Sequence, residues 1–475
     1  MAGRAAPTDY DVLIVGAGIS GIGMAAHMEE KAPHHSYAIL ERRADLGGTW
    51  DLFRYPGIRS DSDMHTLGFD FEPWKHEKTI ADGPAILDYL NRIVDERGIR
   101  EHIRTGHTVL AADWREAHAC WHVTVETAEG DRKRLTANWL YLGSGYYDYD
   151  EAYDPGFDLG AFEGRVVHPQ FWPDDLDYAG KQVVVIGSGA TAVTLVPSMA
   201  KGARGAAKVT MLQRTPTWMF SRPAKDRIAN FLRKVLPEKL AYRVTRWKNI
   251  TLQHLGFKRP YDPWDQRLCL IPDDDLFEAM KKGRAEIVTG HIAAFEQGGV
   301  RLKDDRHLPA DIVVTATGLK LAVAGKIAIS QNGEPVDLAE RFYYKGCMFS
   351  NLPNLAVVFG YLNASWTLRS DINADFICRV LERMRATGAT IAEPVLPADH
   401  DLVEDDIFDF SSGYIQRSKH LMPKNAVAYP WRLNQEYVTD RKRMASDSIE
   451  DGVLDLRRAD GQDASSQEGR LEPAG

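Results

Sequence analysis

DYDVLIVGAGISGIGMAAHMEE, residues 9–30, followed by SYAILERR, residues 36–43, decides the fold. An apolar run of strand character gives way to a glycine turn, then a helix-like segment, then a second strand. Gly16 permits the tight turn, Gly18 lets the backbone approach a pyrophosphate, and Gly21 lets the helix pack closely on the strand. The pyrophosphate belongs on the helix N-terminus, where unpaired amides and the dipole favour negative charge. Glu41 lies 20 residues beyond Gly21, at the end of the second strand. A carboxylate there can hydrogen-bond ribose hydroxyls.

The pattern recurs at KQVVVIGSGATAVTLVPSMAKG, residues 181–202, and KVTMLQRTP, residues 208–216. Gly187, Ser188, Gly189, Ala190 and Thr191 form the second turn, with Ala192 in place of the third glycine. Arg214 now stands where the ribose-binding carboxylate would be. A carboxylate would repel a 2′-phosphate, whereas a guanidinium binds one bidentately, so NADPH is expected over NADH. Two such units predict an α/β protein with two Rossmann-like dinucleotide-binding domains. One would hold a tightly bound flavin (FAD) and the other an exchanging nicotinamide.

Composition agrees. The chain has 475 residues, 44% hydrophobic and 26% charged, enough for a large core without disulfide or metal staples. A net charge of -9 argues against a general nucleic-acid binder. The charge is uneven: residues 222–259 hold 11 Lys/Arg against Asp226 and Glu238, so the remainder carries about -18. This basic stretch reads as a solvated helical face, with attachment to an anionic membrane surface as the other reading. Cys120, Cys269, Cys347 and Cys378 are scattered, without the spacing of a zinc site or a redox pair. No metal is expected, and electrons from NADPH must pass to oxygen, a quinone or another protein. Neither a signal core nor an 18-residue apolar run is present, so a cytoplasmic protein is expected, with peripheral membrane attachment left open.

Between the units lies Phe162-Glu-Gly164-Arg-Val-Val-His168-Pro-Gln-Phe-Trp172-Pro173, which fits FxGxxxHxxxW(P/D). Upstream are Gly47-Gly48-Thr49-Trp50 and Arg54-Tyr55-Pro56-Gly57-Ile58-Arg59-Ser60-Asp61, and downstream is Ala316-Thr317-Gly318. This ordered set resembles the type I Baeyer–Villiger monooxygenases, a branch of the class B flavoprotein monooxygenases. YDPWDQRLCL, GYLNASWTL and PWRLNQEY are similar to the ethionamide-activating subgroup, and the likeness runs to about residue 452. It departs between Trp247 and Trp264, where this chain is shorter by several helical turns.

The resemblance implies conversion of ketones to esters or lactones through a C4a-peroxyflavin, with S-oxygenation of sulfides or thioamides beside it. Molecular oxygen and a small apolar ketone or sulfur compound are the implied reactants. Oxygenation restricted to N and S, and reduction of a protein partner, remain as alternatives. The residues matching the family's catalytic pair are Arg267, which would favour developing negative charge, and Asp61, which would position it. Gly48, Thr49, Trp50 and Asp61 would join the FAD site. Phe162, Gly164, His168 and Trp172 would couple conformation to NADPH binding, His168 serving there and not as a general base.

The expected division is an FAD domain in two parts, 1–150 and 319–455, and an NADPH domain in two parts, 151–221 and 263–318. A helical insertion occupies 222–262 and a disordered tail 456–475. The turn from Tyr361 to Trp366 reads equally as a border of the flavin or substrate pocket and as an ordinary strand-to-helix turn, and carries no assigned role.

Overall fold

The computed structural model describes residues 7–256, 269–361, 364–406 and 413–459. Its first sheet is built on the strand Tyr10–Val15, paired in parallel with Tyr37–Leu40 on one side and the end of Arg132–Leu142 on the other. Leu355–Val357 joins in parallel beyond, against residues 140–142, so chain that follows the second glycine unit returns to the first sheet. His107–Arg115 and Cys120–Thr127 extend it as an antiparallel excursion.

Alternation along the central strands divides the core between the sheet's faces. Val12, Ile14, Trp139 and Tyr141 pack on the helical side, while Leu13, Val15, Leu140 and Leu142 pack with Trp114 and Trp121 on the other.

The second sheet is wholly parallel, in the order Ala285–Thr289, Lys208–Gln213, Gln182–Ile186, Ile312–Thr315, Arg165–Val167. Each glycine turn sits at the carboxyl end of its central strand and opens a helix, Ile19–Lys31 in the first unit and Ala190–Met199 in the second.

The two units are not merely tethered. Phe53 and Tyr55, from the first part of the chain, belong to the hydrophobic core of the second. Gly57, at φ +78°, brings the same segment so close to the second helix that a Cβ would lie 1.9 Å from Ser198 Oγ. Arg59 pairs with Asp275 and donates to the Val193 carbonyl at 3.4 Å.

A second tie brings three stretches of chain, around residues 148, 170 and 326, together at Asp148. Its buried carboxylate lies 2.6 Å from Lys326 Nζ and accepts the Asp150 amide at 3.0 Å. Its carbonyl accepts Gln170 Nε2 at 2.7 Å.

Residues 222–256 are helical over Arg227–Val235 and Glu238–Gly256. Asp226 caps the first helix by accepting the Ala229 amide at 2.9 Å. The second helix is clasped along its inner face. Tyr242 donates to the Phe69 carbonyl at 2.8 Å, Arg246 to the Gly68 carbonyl at 2.7 Å, and Asn249 Nδ2 to Asp63 Oδ1 at 2.9 Å. Arg246 also lies 3.6 Å from Asp371 on the long helix Trp366–Thr387. The sequence places the tail from 456, yet Leu456 and Arg457 are strand residues in Leu454–Arg457, paired antiparallel with Ile391–Pro394. Main-chain pairing with a buried edge outweighs the polar composition there. Residues 460–475 of that tail, and 257–262 of the expected insertion, lie outside the described residues.

All four cysteines are buried and free. No helix among the described residues is long and apolar enough to cross a membrane.

His65 lies beneath the clasped helix, buried, with neither ring nitrogen hydrogen-bonded. Burial lowers its pKa to about 4, against about 6.5 for the unfolded chain. Below 6.5 the unfolded state therefore binds the proton first, and stability present at neutral pH is lost as pH falls towards 4. The His65→Leu variant sacrifices no hydrogen bond and removes this term. Urea unfolding at pH 7 and pH 4.5 should show the wild type losing on the order of 2 kcal/mol more than the variant.

Candidate functional site

Both glycine turns open on one cleft of about 940 Å³. In the first turn Gly16 has φ +97°, and a Cβ on Gly21 would come within 1.9 Å of the Gly16 carbonyl oxygen. Only glycine permits that turn and that approach. Gly18 is extended, and its Cα faces Gly48 across the cradle, where a Cβ would have ordinary contact at 3.6 Å. The helix beginning at Ile19 has no side-chain cap, so its first amides stay available to an anion.

Glu41 is buried beside this turn. Oε2 accepts the Ala17 amide at 2.7 Å and Oε1 the Arg43 amide at 2.9 Å, and burial raises its pKa against those bonds. Beyond the expected ribose contact, Glu41 therefore braces the turn itself. Gly48, Thr49 and Trp50 line the opposite wall, with Thr49 Oγ1 3.0 Å from Tyr149 OH. Asp61 lines the cleft as an exposed side chain, close enough to influence the buried Tyr55 electrostatically. Arg267 lies outside the described residues.

The second turn repeats the first. Gly187 has φ +133° and would bring a Cβ within 2.1 Å of the Ala316 carbonyl oxygen, whereas nothing lies within 4 Å of a Cβ on Gly189. Ser188 Oγ is 2.6 Å from Thr217 Oγ1, and the helix starting at Ala190 again has no side-chain cap. Thr191 is a hydrogen-bonding partner of Tyr55. Arg214 is exposed on the cleft wall, with no hydrogen bond or ion pair to another described residue.

His291 and Lys303 line the same cleft, and sequence reading missed both. Parallel register sets Thr289 opposite Gln213, the Gly290 amide donates to the Gln213 carbonyl at 3.0 Å, and the Lys303 amide to the His291 carbonyl at 2.8 Å. Two further cationic or titratable side chains, His291 and Lys303, thus come from the strand ends near Arg214.

The remaining fingerprint residues divide by place. His168 lines the cleft and its Nδ1 accepts the Gln170 amide at 3.2 Å. Burial lowers its pKa, with the Gly318 backbone acting the other way, which keeps the imidazole neutral at pH 7. Phe162, Gly164 and Trp172 do not line the cleft. Phe162 packs edge-on to Phe295, Gly164 allows close approach to the Asp311 carbonyl, and Trp172 packs on the second core. Trp366, given no role by sequence, donates Nε1 to Ser20 Oγ at 2.7 Å and stacks on Tyr146 at the cleft wall. Asn363 lies outside the described residues.

Residues 13–253 match the family described as pyridine nucleotide-disulphide oxidoreductase. The FAD-containing monooxygenase EthA of Mycolicibacterium smegmatis is 48% identical over 480 residues, covering 94% of this chain and 96% of its own. The chain belongs to the FAD-containing monooxygenases. The probable FAD-binding monooxygenase AlmA of Acinetobacter baylyi is 45% identical, covering 94% of this chain and 95% of its own. Among solved structures, an oxidized steroid monooxygenase bound to NADP superposes with a TM-score of 0.68 at 22% identity, over 94% of this chain and 99% of that one. An ε-caprolactone-bound cyclohexanone monooxygenase gives 0.66 at 19% identity over the same shares. These two show a shared fold. The disulphide of the broader family's description has no counterpart in this monooxygenase, whose cysteines are all free.

The cradle geometry separates folding from binding at the second turn. Gly189→Val should leave the melting temperature and bound flavin unchanged, because a Cβ there has no protein atom within 4 Å. It should raise the KM for NADPH about tenfold or more by filling the approach of the pyrophosphate.

Proposed function

We propose that this monooxygenase binds FAD at the first turn and NADPH at the second, and inserts one oxygen atom of O2 into small apolar ketones, giving esters or lactones. It also transfers oxygen to sulfides or thioamides. The observation that carries this reading is the opening of both cradles on one cleft, with Asp61 and His168 on its wall. When bound, FAD supplies the chemistry that activates oxygen and NADPH supplies the electrons.

Gly16, Gly18, Glu41, Gly48, Thr49 and Trp50 hold the flavin nucleotide. The Gly18–Gly48 gap, which a larger side chain on either residue would narrow, fits a pyrophosphate backbone. Gly187, Ser188, Gly189, Ala190 and Thr191 hold the nicotinamide nucleotide, and Arg214, lacking a described protein partner, takes the 2′-phosphate. Asp61 positions Arg267, whose permanent charge favours negative charge developing on the substrate carbonyl oxygen. His168, neutral and tied to the linker, transmits the position of the second unit and moves no proton in the reaction.

The reading is tested by product analysis with linear, cyclic and aryl ketones and a thioether, with NADPH consumption and hydrogen peroxide measured alongside. Ester matching the NADPH consumed is expected, and Arg267→Ala should lower its rate by at least about a hundredfold while leaving FAD content intact. Sulfoxide without ester would restrict the enzyme to heteroatom oxygenation.

NADPH specificity is tested separately. Arg214→Ala should cost about tenfold to a hundredfold in kcat/KM for NADPH and little for NADH, as loss of a charge-assisted contact requires.

A further inference from the structure

Nine of the fifteen large apolar side chains that stand exposed among the described residues fall between positions 218 and 252. Their spacing is helical. Ile228, Phe231 and Val235 lie at i, i+3 and i+7 on the helix Arg227–Val235, and Leu240, Val244 and Trp247 at i, i+4 and i+7 on Glu238–Gly256. Phe231 is 61% exposed and Trp247 69%. The opposite face of the longer helix holds the buried Tyr242, Arg246 and Asn249, so its outer stripe is fixed outward by the clasp. A solvated helical face, one reading of the basic stretch, should be polar. This one is apolar along both helices.

The charges around these stripes are sorted. The acids Glu77, Asp226 and Glu238 are each paired, with Lys225, Lys248 and Lys75. Arg227, Lys234, Lys239 and Arg243 are exposed and have no hydrogen bond or ion pair to another described residue. The face is therefore cationic on a chain that is otherwise acidic. Two copies meeting through it symmetrically would set cation against cation.

It also borders the cleft. Thr217 lines the cleft and Trp218, the next residue, is 64% exposed. The longer helix packs on Met64–Leu67, whose Leu67 lines the cleft too.

We propose that this face seats the protein on the surface of an anionic phospholipid bilayer. Aromatic and aliphatic side chains enter the boundary between headgroups and acyl chains, and the four cations meet lipid phosphates. The cleft is then held beside the phase in which apolar substrates dissolve. That last consequence rests on the proposed substrate class, but binding to lipid does not.

The test is co-sedimentation of the FAD-loaded full chain with phosphatidylcholine vesicles, with and without about 30% phosphatidylglycerol. Binding should require the anionic lipid and fall sharply in about 1 M NaCl, where charges are screened within about 3 Å. Phe231→Ser/Trp247→Ser and, separately, Lys239→Gln/Arg243→Gln should each weaken it about tenfold or more. Both pairs are exposed and outside the cleft, so FAD content and turnover of water-soluble substrates should stay unchanged. No sedimentation above the lipid-free control overturns the proposal. So does binding that ignores the aromatic pair, or a self-associated form that the aromatic pair abolishes without any vesicle binding. Intact vesicle binding with no oxygenated product supports docking and counts against the proposed reaction.

Discussion

The arrangement depends on a close approach of one backbone to a neighbouring helix, made at positive φ where glycine is favoured. At Gly57 the chain of the first unit passes so near the helix Ala190–Met199 that no side chain fits between them. Phe53 and Tyr55 are thereby committed to the second core, and Arg59 to Asp275. Shared core is costly to separate, because parting the units exposes apolar surface and leaves a half-buried guanidinium without its partner. The mutual position of the two nucleotide cradles is therefore a property of packing, as well as of the connecting chain.

The same segment leads on to Asp61 on the cleft wall and then to Asp63 and His65, which lie under the clasped helix. One continuous run of sequence thus touches the second core, the cleft wall and the floor of the helical pair. Around Asp148 the two connecting segments and the fingerprint meet, the buried carboxylate pairing with the exposed Lys326 and the carbonyl accepting the Gln170 amide. Breaking either partner would strand a buried polar group, which favours movement of the second unit with its linker over movement against it.

Both dinucleotide units were legible because their signals are local: an apolar run, glycines at fixed offsets and a helix. The discontinuous first unit is harder to read, since Leu355–Val357 is three residues long and finds its place only by pairing with residues 140–142. His291 and Lys303 could not be found from spacing, because strand register brings His291 near Arg214 and main-chain pairing sets Lys303 beside His291. Glu41 was read as a ligand group, whereas its turn-bracing bonds depend on burial that composition does not reveal. The basic stretch was visible as charge, but the outward direction of its apolar stripes follows from which side of the helix Phe69, Gly68 and Asp63 hold.

Burial of the four cysteines has a consequence for durability. Burial pushes the thiols of Cys347 and Cys378 up to about 12, raises that of Cys120, and leaves Cys269 donating to the Ser188 carbonyl at 3.8 Å. Oxidation of cysteine proceeds through the thiolate and needs access. A monooxygenase with its thiols so placed presents no ready thiolate to stray oxidant, so cysteine is closed as a route of oxidative loss.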